Sequence, residues 1–122
     1  MIGYVTIGTN DLQRGAKFYD ALLAEIDAKR FMEEDTFIAW AVAPGKPSLA
    51  ITKPFDGNAA TVGNGVMVAL MVESPEQVDA LYAKAIELGA MDEGPAGPRG
   101  DSFYAGYFRD LDGNKLNFFC MT

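Results

Sequence analysis

Val66-Met67-Val68-Ala69-Leu70-Met71-Val72-Glu73-Ser74-Pro75-Glu76-Gln77 reads as a strand running straight into a helix. The run from Val66 to Glu73 is apolar and partly β-branched, which favours an extended chain. Its two faces carry Val66, Val68, Leu70 and Val72 on one side and Met67, Ala69 and Met71 on the other. Ser74 then supplies an N-cap, Pro75 stands at the first helical position and Gln77 at the third, and Gly89 provides a stop. Working outward, a shift of 63 positions lays this segment on the start of the chain: Asp11 falls on Ser74, Phe18 on Leu81, Tyr19 on Tyr82 and Leu23 on Ile86. Ile2 to Gly8 is the matching strand, with Val5 and Ile7 on one face and Tyr4 and Thr6 on the other. Each half therefore opens with a strand and a helix that packs by one face.

Each helix leads into a meander. In the first half the extended runs are Ala28 to Glu33, Thr36 to Val42 and Ser48 to Lys53, punctuated by Glu34-Asp35 and by Pro44-Gly45-Lys46-Pro47. In the second a Gly/Pro-rich stretch from Gly94 to Gly100 precedes Ser102 to Arg109, the turn Asp112-Gly113-Asn114, and Lys115 to Met121. The pattern predicts an α+β fold of two βαβββ modules, 1–53 and 65–122, joined by a linker over 54–64. A unit of about sixty residues is marginal alone, so the modules are expected to form one domain sharing a core and a sheet-lined cleft.

Composition narrows the function. Ten basic residues against seventeen acidic ones give a net charge of -7, and no basic patch is visible along the chain, which argues against nucleic-acid and anionic-membrane partners. The same charge tolerates a cationic ligand, and it also simply favours solubility. The longest apolar stretch, Val66 to Val72, is too short to span a bilayer, and the N-terminus lacks signal-peptide character, so a cytoplasmic location is expected. Cys120 is the single cysteine, so no internal disulfide forms.

The two-module plan, the early Asp11-Leu12 followed by Phe18-Tyr19, and the late Arg109-Asp110-Leu111-Asp112-Gly113-Asn114 resemble the vicinal oxygen chelate superfamily, which includes glyoxalase I, bleomycin-resistance proteins and extradiol dioxygenases. The final segment is similar to that family's Asp-Pro-Asp-Gly-Asn turn, with Leu111 in place of the proline. The resemblance implies that each module curls its mixed sheet into a half-barrel around a cavity that holds a metal in many members, and that two chains form a homodimer. It places the metal-ligand positions at Tyr4, at Leu49 or Ala50, at Met67 and at Asn117.

Those residues do not suit a catalytic metal. Zinc, nickel or iron needs about three strong nitrogen, oxygen or sulfur ligands, and this sequence has no histidine. Met67 offers a thioether, Asn117 a neutral amide, and Tyr4 a phenol that ionises only near pH 10 in its reference state. Glu33, Glu34, Asp35, Asp110 and Asp112 fall in turns, where solvated charge is the ordinary role. No metal and no cofactor are expected, and lyase or dioxygenase chemistry of the metal type is disfavoured. By strand parity and position the cavity lining is then Tyr4, Thr6, Trp40, Met67, Ala69, Met71, Phe108, Asn117 and Phe119, an apolar surface with a few polar handles suited to an aromatic or mixed-polarity small molecule. The same residues also describe a plain packed core.

Weaker candidates are Tyr104 and Tyr107 beside the cleft, Arg109 pairing with Asp110 or Asp112, and Lys53 at a strand end. Cys120 is expected on the helix side without a histidine to activate it. Gly63-Asn64-Gly65 and Gly97-Pro98-Arg99-Gly100 read as connectors, the second also as a lid. Together these features point to a metal-independent small-molecule binding protein. The alternatives left open are a lyase, isomerase or dioxygenase, with Tyr4 the catalytic candidate, alone or with Lys53 or Arg109, and an interaction module whose cavity is filled.

Overall fold

In the computed structural model, which describes residues 1–122, Asp11 and Ser74 start the two helices by the same device. The Asp11 carboxylate accepts a hydrogen bond from the Arg14 N–H at 3.0 Å and opens α1, Leu12–Leu23. Ser74 Oγ accepts from the Gln77 N–H at 3.2 Å and opens α2, Pro75–Glu87. Pro75 gives up an N–H that the first helical turn leaves unpaired in any case. Gln77 Oε1 reaches back to the Glu73 N–H at 2.7 Å, so this capping box closes one residue ahead of the cap.

The helix ends also match. Gly89, in the left-handed region at φ 106, lets its N–H bond to Ile86 O and the Ala90 N–H bond to Ala85 O, both at 3.0 Å. After α1 a short 3-10 turn, Ala24–Ile26, ends in the same way, but there Asp27 takes the left-handed position at φ 59 and Ala28 N–H bonds to Leu23 O. An aspartate in that conformation costs about 1 kcal/mol relative to glycine, which its short polar side chain partly offsets.

Eight strands complete the chain: β1 Tyr4–Gly8, β2 Lys29–Glu33, β3 Phe37–Ala41, β4 Ser48–Thr52, β5 Val68–Met71, β6 Met91–Pro98, β7 Phe103–Arg109 and β8 Lys115–Met121. They form two four-stranded mixed sheets, ordered β1-β4-β3-β2 and β5-β8-β7-β6. In each sheet the first strand runs parallel to the last and the other pairings are antiparallel. The chain divides into two compact units, Met1–Val62 and Gly63–Thr122, each a βαβββ module with one helix. The segment from Pro54 onward packs with the first unit because Asn10 clamps Ala60, accepting from its N–H at 2.7 Å and donating to its carbonyl at 3.2 Å. Gly8 is needed under that clamp, since a Cβ there would stand 2.9 Å from the Ala60 Cβ.

Each unit has its own core between helix and sheet. In the first, Ile7, Ile38, Trp40, Leu49 and Ile51 pack towards Leu12, Ala16, Tyr19 and Leu22, all buried. In the second, Phe108, Leu116, Phe118 and Cys120 pack towards Val78, Leu81 and Ala85. Each large apolar side chain removed from water in this way contributes about 1.5–3 kcal/mol before entropy is counted. No helix is long and apolar enough to cross a membrane.

The expected connector or lid, Gly97-Pro98-Arg99-Gly100, starts inside a strand, and the Gly/Pro-rich stretch from Gly94 to Gly100 that contains it is more than a link. Most of it is the edge strand β6, paired antiparallel with β7 through two register shifts, between Asp92 and Gly94 and between Gly94 and Gly97. An edge strand tolerates Pro95 and Pro98 because its outer N–H groups have no ladder partner to lose, and the glycines absorb the bulges. Arg99 staples the segment, its guanidinium donating to the carbonyls of Pro95, Gly97 and Pro98.

Candidate functional site

Pleating gives each sheet a helix face and an open face, and the strand registers decide which residues share them. In the first unit Tyr4 pairs with Ser48, and Thr6 with Ala50, which in turn pairs with Ala39, so all five share the face away from the helix, where Tyr4 and Thr6 are exposed and Ala39 and Ala50 buried. Val5 and Ile7 pair with Leu49 and Ile51 on the helix face. The same register in the second unit sets Ala69 beside Asn117 and Asn117 beside Tyr107, with Met71, Phe119 and Ala105 alongside. Met67 sits just ahead of β5 and is exposed. Thr6 and Ala69 are 63 positions apart, so Ala50 is the counterpart of Asn117, and Leu49 belongs to the helix face.

Trp40 and Phe108 do occupy equivalent positions, but both point the other way from the expectation. Trp40 pairs with Leu49 and Phe108 with Leu116, which puts each under its helix, 2% and 0% exposed. Trp40 is fixed there by the Tyr19 ring at 5.7 Å and by an Nε1–H donated to Asp20 at 2.9 Å; Phe108 stacks on Phe118 at 5.7 Å. Neither lines the open face. Arg109 also differs from expectation: its Nε donates to Glu93 at 2.9 Å and its Nη1 to the Gly113 carbonyl, not to Asp110 or Asp112. Tyr104 donates to Asp79 of α2 at 2.7 Å and so turns to the helix side. Cys120 is buried on the helix side, as expected.

Asp110 and Asp20 are occupied structurally. Asp110 accepts from the N–H groups of Asp112 and Asn114, both at 2.9 Å, and from the Asn114 side-chain amide at 3.0 Å, which shapes the turn before β8. Asp20 takes two bonds from Arg30, at 2.8 and 2.6 Å, besides that of Trp40. The Arg30 guanidinium holds the Asp20 carboxyl below the usual range against the opposing effect of burial, and the pairing raises Arg30. Tyr82, desolvated and donating to Asp92 at 2.8 Å, is pushed above the ordinary tyrosine value; Tyr104 is raised by its bond to Asp79.

Asn117 stands apart. Its side chain is buried, 1% exposed, and its Oδ1 has no hydrogen-bond partner. An amide oxygen withdrawn from water and left unpaired costs about 1–3 kcal/mol, which a donor reaching it would offset. The surrounding open face carries cations that sequence reading missed: the Lys115 ammonium lies 5.7 Å and the Arg99 guanidinium 5.4 Å from the centre of the Tyr107 ring. The period-2 register of β8, with Lys115 two residues before Asn117, was the available signal. In the first unit a separate cavity of about 600 Å³ opens at the start of β2, lined by Asp27, Lys29, Phe31, Val42 and Lys46 among others.

A family model described as Glyoxalase/Bleomycin resistance protein/Dioxygenase superfamily matches residues 1–118. The chain belongs to this superfamily. It is 36% identical to a glyoxalase/bleomycin resistance protein from Albidiferax ferrireducens, with 98% of each chain covered and a TM-score of 0.90. Two further solved structures show the same fold at lower identity: a glyoxalase/bleomycin resistance protein/dioxygenase family enzyme from Burkholderia phytofirmans (17%, 98% of each chain, TM-score 0.78) and a lactoylglutathione lyase from Agrobacterium tumefaciens (15%, 98% of this chain and 92% of that one, TM-score 0.73). No curated protein matches in sequence. The residues this superfamily member presents where the resemblance implies metal ligands are Tyr4 and Ala50 in the first unit and Met67 and Asn117 in the second. A phenol, a methyl, a thioether and a neutral amide do not fit a divalent metal, and no group of three or more His, Cys, Asp or Glu side chains is gathered anywhere to hold one.

Proposed function

We propose that this superfamily member binds a small organic molecule on its open sheet faces without a divalent metal, and that it does so as a homodimer. The observation that carries the reading is the residue set at the implied ligand positions, Tyr4, Ala50, Met67 and Asn117: none is a strong metal ligand, and Tyr4 and Met67 are exposed. Tyr4 and Thr6 supply hydroxyls on the first unit's sheet, and Met67, Ala69 and Phe119 supply apolar contact on the second unit's. Exposed Tyr4, Met67 and Met71, at 65%, 40% and 69%, support association of two copies.

The test is a thermal-shift screen of chelator-treated protein against a broad small-molecule library, with hits followed by calorimetry. Saturable binding that is unchanged by EDTA is expected. Binding that appears only with added zinc, nickel or manganese contradicts the reading. Light scattering should give twice 13.2 kDa for the dimer.

A further inference from the structure

We infer that the cavity at the start of β2 is a second binding site, independent of the open sheet faces, and that it takes a small organic carboxylate with an aromatic or other apolar body. Its volume of about 600 Å³ is of the size that small-molecule sites use, and neither Tyr4 nor Thr6 lines it. Three pieces of the first unit form its walls: Asp27 at the end of the 3-10 turn, the first residues of β2, and the chain from Ala41 to Lys46 at the end of β3 and beyond.

The concavity has a local cause. β2 shifts register against β3 between Arg30 and Met32, so Phe31 has no partner on β3, and a bulge of this kind bends an edge strand and re-aims the extra side chain. Opposite it, the turn is closed by the Lys46 N–H, which donates to the Ala43 carbonyl at 3.3 Å, with Gly45 in the left-handed region at φ 76. Phe31 and Val42 stand 58% and 52% exposed in these walls, apolar surface that a guest's body would cover. The walls also carry three cations. Arg30 is spent on Asp20 and Glu33, at 2.6 and 2.8 Å, whereas Lys29 and Lys46 take part in no ion pair although the chain's net charge is -7. Asp27 is the one acid among the lining residues. Two uncommitted ammonium groups against one carboxylate leave a single positive charge in excess, which selects a monoanion over a cation.

The experiment follows amide chemical shifts of the isotope-labelled full chain during titration with naphthylacetate, naphthylacetamide, naphthylethylamine and acetate. Naphthylacetate should move the Lys29, Phe31, Val42 and Gly45 signals saturably and leave Thr6 and Ala69, which report the open faces, in place. The amide should bind at least about 5-fold more weakly, because it lacks the charge-assisted bonds, and acetate more weakly still. Added salt should weaken the acid and not the amide. Lys29→Gln combined with Lys46→Gln, both at exposed side chains, should erase the preference for acid over amide. Asp27→Asn, which keeps a residue suited to the left-handed conformation, should tighten the acid about 2-fold by removing a like charge. The assignment is overturned if the amide or the amine binds as tightly as the acid, if acetate alone moves the same signals equally, or if no probe moves them at millimolar concentration. Movement of Thr6 and Ala69 without the cavity signals also overturns it, and leaves the open-face reading standing.

Discussion

Replacing Asn117 with leucine removes a polar side chain from the sheet and is expected to stabilise the protein. Asn117 Oδ1 is buried without a partner, so the folded state carries a desolvation cost of about 1–3 kcal/mol that the unfolded chain, hydrated there, does not. Leucine has nearly the same shape and adds apolar contact beside Phe119 and Ala69, so the substitution should recover most of that cost without opening a cavity. At this chain length each kcal/mol corresponds to about 3–5 °C in Tm, which puts the expected rise at roughly 3–10 °C. Differential scanning calorimetry on ligand-free protein measures it, with Asn117→Ala as the control in which lost packing offsets the gain. A fall of several degrees in the leucine variant would refute the reasoning, because it would mean that Oδ1 is hydrogen-bonded in the free protein. Improved stability together with lost ligand binding is the signature of a polar group kept for function.

Trp40→Phe should cost about 1–2 kcal/mol by removing the indole bond to Asp20, yet leave ligand affinity unchanged, since Trp40 lies under α1; urea denaturation and calorimetric titration read the two effects. As the single tryptophan, buried at 2% exposure, it should also resist acrylamide quenching. Gly106→Ala should destabilise the second unit by about 1–3 kcal/mol, because the new Cβ would stand 3.1 Å from the Tyr82 side chain where α2 crosses β7. The Asp20 carboxyl is held below its unfolded value, so its contribution is fully present above the unfolded pKa, near 4, and is lost as the pH falls through the folded one. Asp20→Asn should therefore flatten the acid limb of the stability curve and lower the plateau at neutral pH.

The fold was legible because both caps, the Gly89 stop and the strand periods agree with one another. Asp11 and Ser74 announced the helices, and β8 fell on Lys115–Met121 as its pattern implied. β6 was hidden because glycine and proline weigh against a strand interior, and only pairing with β7 at a sheet edge makes the segment extended. Trp40 and Phe108 were misplaced for a related reason: fully apolar runs such as Phe37 to Ala41 carry no polar alternation, so parity has to come from partner strands. The Asn117 position came from the closing-strand pattern, but its unpartnered oxygen arises only when distant segments are folded together.

The most direct test of the account is elemental analysis of tag-free protein that has been incubated with excess zinc, nickel, cobalt, manganese and iron(II) and then exchanged into metal-free buffer. The account predicts no stoichiometric metal and unchanged ligand binding. About one ion retained per chain would contradict it, and would mean that the protein assembles a donor set other than Tyr4, Ala50, Met67 and Asn117.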